Sequence, residues 1–114
     1  NGVGKNCEKA IDMIERAVKL KHPVAYNNLG YMYLYGKCKE KDYEQAKKYF
    51  ELARTSNIII AIYSLGYMAE NGFGMEIDIE KALYYYEYSM NLGNEKAKVN
   101  YNRLKIADEN KTNI

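Results

Sequence analysis

The 114-residue chain has no tryptophan, one proline, one histidine and two cysteines. A lone proline suits helices joined by short connections, since proline breaks a helix interior. One histidine and two cysteines are too few for a metal centre or a disulfide framework, so no metal and no cofactor is expected. No apolar run approaches the roughly 18–20 residues of a membrane-spanning helix. Seventeen basic residues against fifteen acidic ones leave a net charge of +2, too small and too scattered to indicate nucleic-acid binding. The opening Asn1-Gly2-Val3-Gly4 carries no charged-then-apolar leader pattern and reads as a segment of something longer.

What is present is an ordinary globular composition, 47% apolar and 28% charged, with thirteen tyrosines. The length supports one modest core. A shift of 36 residues aligns the chain with itself without a gap: Ala10-Ala46-Ala82, Ala25-Ala61-Ala97, Leu29-Leu65, Gly30-Gly66, Tyr31-Tyr67, Met32-Met68, Gly36-Gly72 and Asp42-Asp78. Between residues 25–60 and 61–96, 12 of 36 positions are identical, against about one in sixteen for unrelated chains of average composition. A period of this length is the mark of a stacked repeat.

Each period reads as helix, loop, helix. Ala25, Leu29, Met32 and Tyr33 fall on one helical face, and Gly36 ends that helix because glycine accepts the left-handed cap. Asp42 with Gln45 forms a capping-box pattern, and Asn6 and Asp78 hold the matching place. The second face is Ala46, Tyr49, Phe50 and Ala53, matched by Ala10, Met13, Ile14, Ala17 and by Ala82, Tyr85, Tyr86, Ser89. Asn57 and Gly93 stop the second helices. The spacing predicts six helices, at 7–20, 24–35, 43–55, 59–71, 79–91 and 95–108. The β-branched run from Ile58 to Ile62 falls at a helix start in this register, so context overrides its strand propensity.

These residues resemble the Sel1-like repeat, a relative of the tetratricopeptide repeat. Its pattern Ala-x-x-x-Leu-Gly-x-x-Tyr, a glycine loop and an Asp-x-x-Lys-Ala helix start is met by Ala25, Leu29, Gly30, Tyr33, Gly36, Asp42 and Ala46. Ala61, Leu65, Gly66, Gly72, Gly74, Asp78, Lys81 and Ala82 meet it again. The resemblance implies an all-α fold, a right-handed α-solenoid of antiparallel helix pairs. It divides residues 1–114 into a half repeat at 1–24, full repeats at 25–60 and 61–96, and a terminal capping helix and tail at 97–114. Asn1-Gly2-Val3-Gly4 looks like the family's inter-helix loop, Cys38 replaces a loop glycine, and Ala69 replaces a tyrosine. Some secreted members bridge the two helices of a repeat with a cysteine pair. Cys7 and Cys38 stand in different register positions and do not show that pattern; a bridge between them stays open as the alternative to burial as free thiols, which is the expectation here.

The resemblance implies a non-catalytic scaffold for protein–protein interaction that holds a peptide or partner domain on its concave face. Partner contacts fall to the first helix of each unit: Asn27, Tyr31, Leu34 and Tyr35, then Tyr63, Tyr67, Glu70 and Asn71, then Val99, Asn100 and Arg103. Tyrosine and arginine are enriched at binding hot spots, although Tyr31 and Tyr67 could equally pack between neighbouring helices. A second contact face comprises Leu83, Tyr84, Tyr88 and Met90, which either back onto another chain or are covered by ordinary solenoid packing. In the half unit Ala10, Met13, Ile14 and Ala17 are expected to pack only against the helix beginning near Val24, and self-association through that end is a further expectation.

Two other functional classes have weaker support in the sequence. Family members described as binding or hydrolysing β-lactams suggest an enzyme, but no nucleophile-and-base pair is visible, and His22 sits before Pro23 in a connector. A basic stripe of Lys96, Lys98, Arg103, Lys105 and Lys111 suggests nucleic acid, but Glu95, Asp108 and Glu109 interrupt it. Glu44, Glu51, Glu80 and Glu87 read as a solvated face, with Glu44 placed to pair with Lys48.

Overall fold

The computed structural model describes residues 2–112. They form six helices and, among the described residues, no strand: α1 (Gly2–Lys19), α2 (Pro23–Tyr35), α3 (Tyr43–Arg54), α4 (Ile59–Asn71), α5 (Ile79–Asn91) and α6 (Glu95–Thr112). The chain divides after Ile58 into two compact units, α1–α3 and α4–α6.

Local chemistry sets most of the boundaries. His22 is extended and Pro23 opens α2, where its missing N–H is not needed. Asp42 accepts from the Gln45 amide at 3.1 Å and Asp78 from the Lys81 amide at 3.0 Å, capping α3 and α5. Asn94 caps α6, its Oδ1 accepting from the amides of Lys96 at 2.9 Å and Ala97 at 3.2 Å. Asp78→Ala is expected to cost about 1 kcal/mol and Asp78→Asn much less. Urea unfolding of the two variants checks this, and equal midpoints would remove the cap from the account.

The backbone repeats as closely as the sequence does. The Asp42 amide donates to the Tyr33 carbonyl at 3.0 Å and the Asp78 amide to Ala69 at 2.9 Å. At the ends of the second helices the amides of His22, Ile58 and Asn94 donate to Ala17, Ala53 and Ser89 at 3.1, 3.3 and 3.1 Å. Left-handed φ values recur in the same register: Lys21, Asn57 and Gly93 at 59°, 55° and 104°, and Cys38 and Gly74 at 63° and 74°. Lys21 and Cys38 therefore hold a conformation that elsewhere in the register belongs to asparagine or glycine.

Within each unit the helix pair is antiparallel. In the second unit the Ser89 hydroxyl, near the end of α5, donates to the Ile59 carbonyl at the start of α4 at 3.0 Å. The Leu-Gly element has a steric cause. A Cβ on Gly30 would lie 2.8 Å from the Phe50 ring, and one on Gly66 would lie 2.9 Å from the Tyr86 ring. The glycine on the first helix thus makes room for the aromatic on the second, and both rings are fully buried. Ala46 and Ala53, with Ala82 and Ser89, are closed off beside them. In the second unit Ala69, Ala82, Tyr86 and Leu104 form a core on which Tyr63, Met75, Ile79, Leu83 and Tyr101 pack.

Three sequence expectations fail. Gly2, Val3 and Gly4 form no loop, and Asn6 caps nothing: α1 runs through all of them. Neither glycine there takes the left-handed φ that a turn would use. Asn1 lies outside the described residues. Cys7 and Cys38 are not free thiols but a disulfide, with Cα atoms 5.1 Å apart. Nor are they buried, since Cys38 is exposed and Cys7 half-exposed. Their different register positions suggest separation, yet the loop bearing Cys38 reaches the first turns of α1. Finally, Met13 is 70% exposed rather than packed with Ala10, Ile14 and Ala17.

Candidate binding surface

In the second unit four of the expected contact residues, Tyr63, Glu70, Asn100 and Arg103, join one polar network. Tyr63 lies on α4 one turn before Tyr67, and its hydroxyl accepts from Asn100 Nδ2 at 2.8 Å. Glu70, one turn further on, accepts from the Tyr86 hydroxyl at 2.8 Å, and Arg103 Nη2 lies 2.8 Å from both of its carboxylate oxygens. Arg103 also donates to Asn100 Oδ1 at 3.2 Å, which closes the link between α4 and α6. Glu70 is mostly covered while Arg103 keeps half of its side chain in water. Desolvation, followed by the hydrogen bond to Glu70 and its charge, pushes the Tyr86 hydroxyl well above the usual phenol range.

Beside this network, Tyr67 is half-buried and meets the Phe73 ring edge-on at 5.7 Å. Asn71 is exposed, its Nδ2 bonded to the Tyr67 carbonyl at 2.9 Å. Val99 stands 66% exposed on α6. The network holds side chains in place before any partner arrives, and an ordered surface of this type loses little side-chain entropy on binding.

The first unit is arranged differently. Tyr31 and Tyr35 are both exposed, with ring centroids 4.7 Å apart, and the Lys37 ammonium lies 5.3 Å from the Tyr31 ring. Asn27 is half-buried, and its Oδ1 has no hydrogen-bond partner among the described residues. Leu34 is a correction: at 3% exposure it belongs to the core and offers nothing to a partner. Its register equivalent is Glu70, so one position serves burial in one unit and a polar network in the other.

The second expected face splits in two. Leu83 packs on the Ala69–Tyr86 core, whereas Tyr84 is 57% exposed and meets the Tyr85 and Tyr88 rings edge-on at 5.3 and 6.2 Å. Tyr88 and Met90 are half-buried. Of the basic stripe, Lys96, Lys98, Lys105 and Lys111 are exposed on α6, but Arg103 is committed to Glu70. Lys48 lies 5.3 Å from the Tyr49 ring. His22 is exposed at the α2 cap. No helix among the described residues is long and apolar enough to cross a membrane.

The role of Tyr86 at this surface was missed in the sequence, where it reads only as a core aromatic. The signal was a paired change in the repeat register: Leu34 with Phe50 in one unit becomes Glu70 with Tyr86 in the next. A carboxylate and a hydroxyl arriving together at two otherwise apolar positions point to a hydrogen bond between them.

Antiparallel helix pairs whose glycine-for-ring packing recurs at a fixed register define an α-helical repeat protein of the solenoid class. The Sel1 repeat family model matches residues 1–22, 23–57 and 59–94, and the chain belongs to the Sel1 repeat family. Among solved structures it is similar to a Sel1 repeat protein from Oxalobacter formigenes, with 32% identity and a TM-score of 0.77 over 84% of this chain and 72% of that one. It is also similar to cysteine-rich protein B of Helicobacter pylori, with 28% identity and a TM-score of 0.71 over 79% of this chain and 68% of that one. A protective antigen of uropathogenic Escherichia coli with the same repeat fold matches at 27% identity and a TM-score of 0.73, over 77% of this chain. The chain spans 19% of that antigen's length. No curated protein matches the sequence. Sel1 repeat proteins generally serve as protein-interaction scaffolds and are typically non-catalytic.

Proposed function

We propose that this chain binds a peptide or partner domain through the outward faces of its first helices, without catalysing a reaction. The observation that carries the reading is the network of Tyr63, Glu70, Asn100 and Arg103 in the second unit. It fixes four polar side chains beside Tyr67, with half of the Arg103 side chain still open to water. Such a surface offers an aromatic platform, a cation and amide groups able to pair with a peptide backbone. In the first unit the exposed Tyr31–Tyr35 pair under Lys37 offers a separate aromatic contact.

The test uses a peptide selected against the chain from a random displayed library, with affinity measured by calorimetry. Tyr31→Ala and Tyr67→Ala are each expected to weaken binding by about 1–3 kcal/mol. Circular dichroism confirms that each variant keeps its fold. Wild-type affinity in both folded variants would reject these faces as the binding surface.

A further inference from the structure

The two sulfurs of the Cys7–Cys38 bond stand in unlike surroundings. Cys38 is exposed on the loop between α2 and α3, while Cys7 is half-exposed within α1. Cys38 lies between Lys37 and Lys39 in the chain, Cys7 between Asn6 and Glu8. An incoming thiolate anion therefore meets less obstruction and a more favourable charge at Cys38.

The residues that follow Cys38 line an open polar cavity of about 350 Å³, formed by Tyr33, Lys39, Glu40, Lys41 and Asp42. Two ammonium and two carboxylate groups share its wall. Lys39 lies 3.5 Å from Glu15 of α1 and 5.6 Å from the Tyr33 ring, and Asp42 caps α3. Glu40 and Lys41 are exposed, and neither side chain has an ion-pair or hydrogen-bond partner among the described residues. Lys41 lies 5.8 Å from the Tyr43 ring. The second unit has nothing of this kind. Gly74, Met75 and Ile77 stand at the positions of Cys38, Lys39 and Lys41, and Met75 packs on the core. The cysteine and the two lysines thus occur together in one loop and are absent together from the other.

We propose that Cys38 is a site of reversible mixed-disulfide formation with a small zwitterionic thiol, free cysteine or a short peptide carrying an ammonium and a carboxylate group. The cavity holds the ligand by opposite charges, its carboxylate at Lys41 and its ammonium at Glu40. The ligand thiolate attacks Cys38 Sγ and forms the new S–S bond. The Cys7–Cys38 bond breaks, and its electron pair leaves on Cys7 Sγ, which takes up the proton that the ligand thiol released. One disulfide replaces another, so no separate oxidant or reductant is consumed. While the adduct lasts the loop is untied from α1; the reverse attack by Cys7 restores the bridge and frees the ligand. The site lies apart from the first-helix faces proposed above and does not depend on them.

The test equilibrates the intact 114-residue chain in a redox buffer of L-cysteine and its disulfide, quenches with acid, and locates adducts by peptide mass spectrometry. N-acetylcysteine amide with its disulfide, a neutral thiol, is the comparison. Adducts are expected mainly on Cys38. The ratio of Cys38 to Cys7 adducts should be about fivefold higher with L-cysteine than with the neutral thiol, the effect of two exposed ion pairs. In urea the two thiols should give the same ratio, because the cavity is gone. Glu40→Gln/Lys41→Gln should bring the L-cysteine ratio down to that of the neutral thiol. Both positions are exposed, and circular dichroism checks the fold. No adduct, adducts mainly on Cys7, equal native ratios for the two thiols, a difference that persists in urea, or a ratio unmoved in the folded variant would each overturn the proposal.

Discussion

Tyr86→Ala is expected to lower the stability of the second unit by about 3–5 kcal/mol, the largest loss of any single substitution considered. The ring is fully buried against Gly66, where even a methyl group would be 2.9 Å away, so its removal empties the centre of the α4–α5 pair. Its hydroxyl also supplies one of the donors to Glu70. Tyr86→Phe isolates that part, and its cost should be about 1.5–3 kcal/mol because the acceptor is charged. Combining it with Glu70→Leu recreates the Leu34–Phe50 combination of the first unit. The double variant should therefore be less damaged than the sum of the singles, by about 1–3 kcal/mol. Urea unfolding of the wild type, Tyr86→Phe, Glu70→Leu and the double variant completes the cycle; strict additivity would mean that the hydroxyl and the carboxylate do not act together.

The same pair fixes an alkaline limit. Burial and Glu70 hold the Tyr86 hydroxyl protonated in the folded state well beyond the value near 10 at which an unfolded tyrosine ionises. The proton-linked stability is thus complete below about pH 10 and declines as pH rises above it, because only the unfolded chain releases the proton. Tyr86→Phe should flatten that decline.

Reducing the Cys7–Cys38 bridge is expected to destabilise the first unit by about 2–4 kcal/mol. The bridge closes a loop of 31 residues that includes most of α1 and all of α2. Helix α1 needs that constraint more than the other helices do, because its apolar stripe is only partly covered. Denaturant unfolding with and without reductant, beside a Cys7→Ser/Cys38→Ser variant, measures the effect. The reduced protein and the double variant should unfold at the same lower midpoint, and hydrogen exchange should accelerate first in α1. An unchanged midpoint on reduction would show that α1 holds by packing alone.

The helix plan was legible because the same signals occur more than once in one register. Asp42 and Asp78 cap as expected, Pro23 opens its helix, and the Leu-Gly positions meet the aromatics opposite them. What failed was tertiary. Helical periodicity assigns Met13 to an apolar face but says nothing about whether a helix covers that face. The cysteines were misread because register comparison treats the chain as a line, while the bond joins a helix to a loop 31 residues away. Leu34 was misplaced for a related reason: the surface position found at Glu70 was carried back to a unit in which the same position is core. Tyr63, Glu70, Asn100 and Arg103 could be placed on neighbouring helices from the register alone, but the bonds that join them depend on how α4 lies beside α6.

The central claim is that the first helices, and not the second, meet the partner. It is tested most directly by backbone amide chemical-shift mapping of the isotope-labelled chain titrated with the selected peptide. The account predicts that the largest shifts fall on α2, α4 and α6, around Tyr31, Tyr67 and Arg103. Shifts concentrated on α3 and α5, with those three positions unmoved, would contradict it.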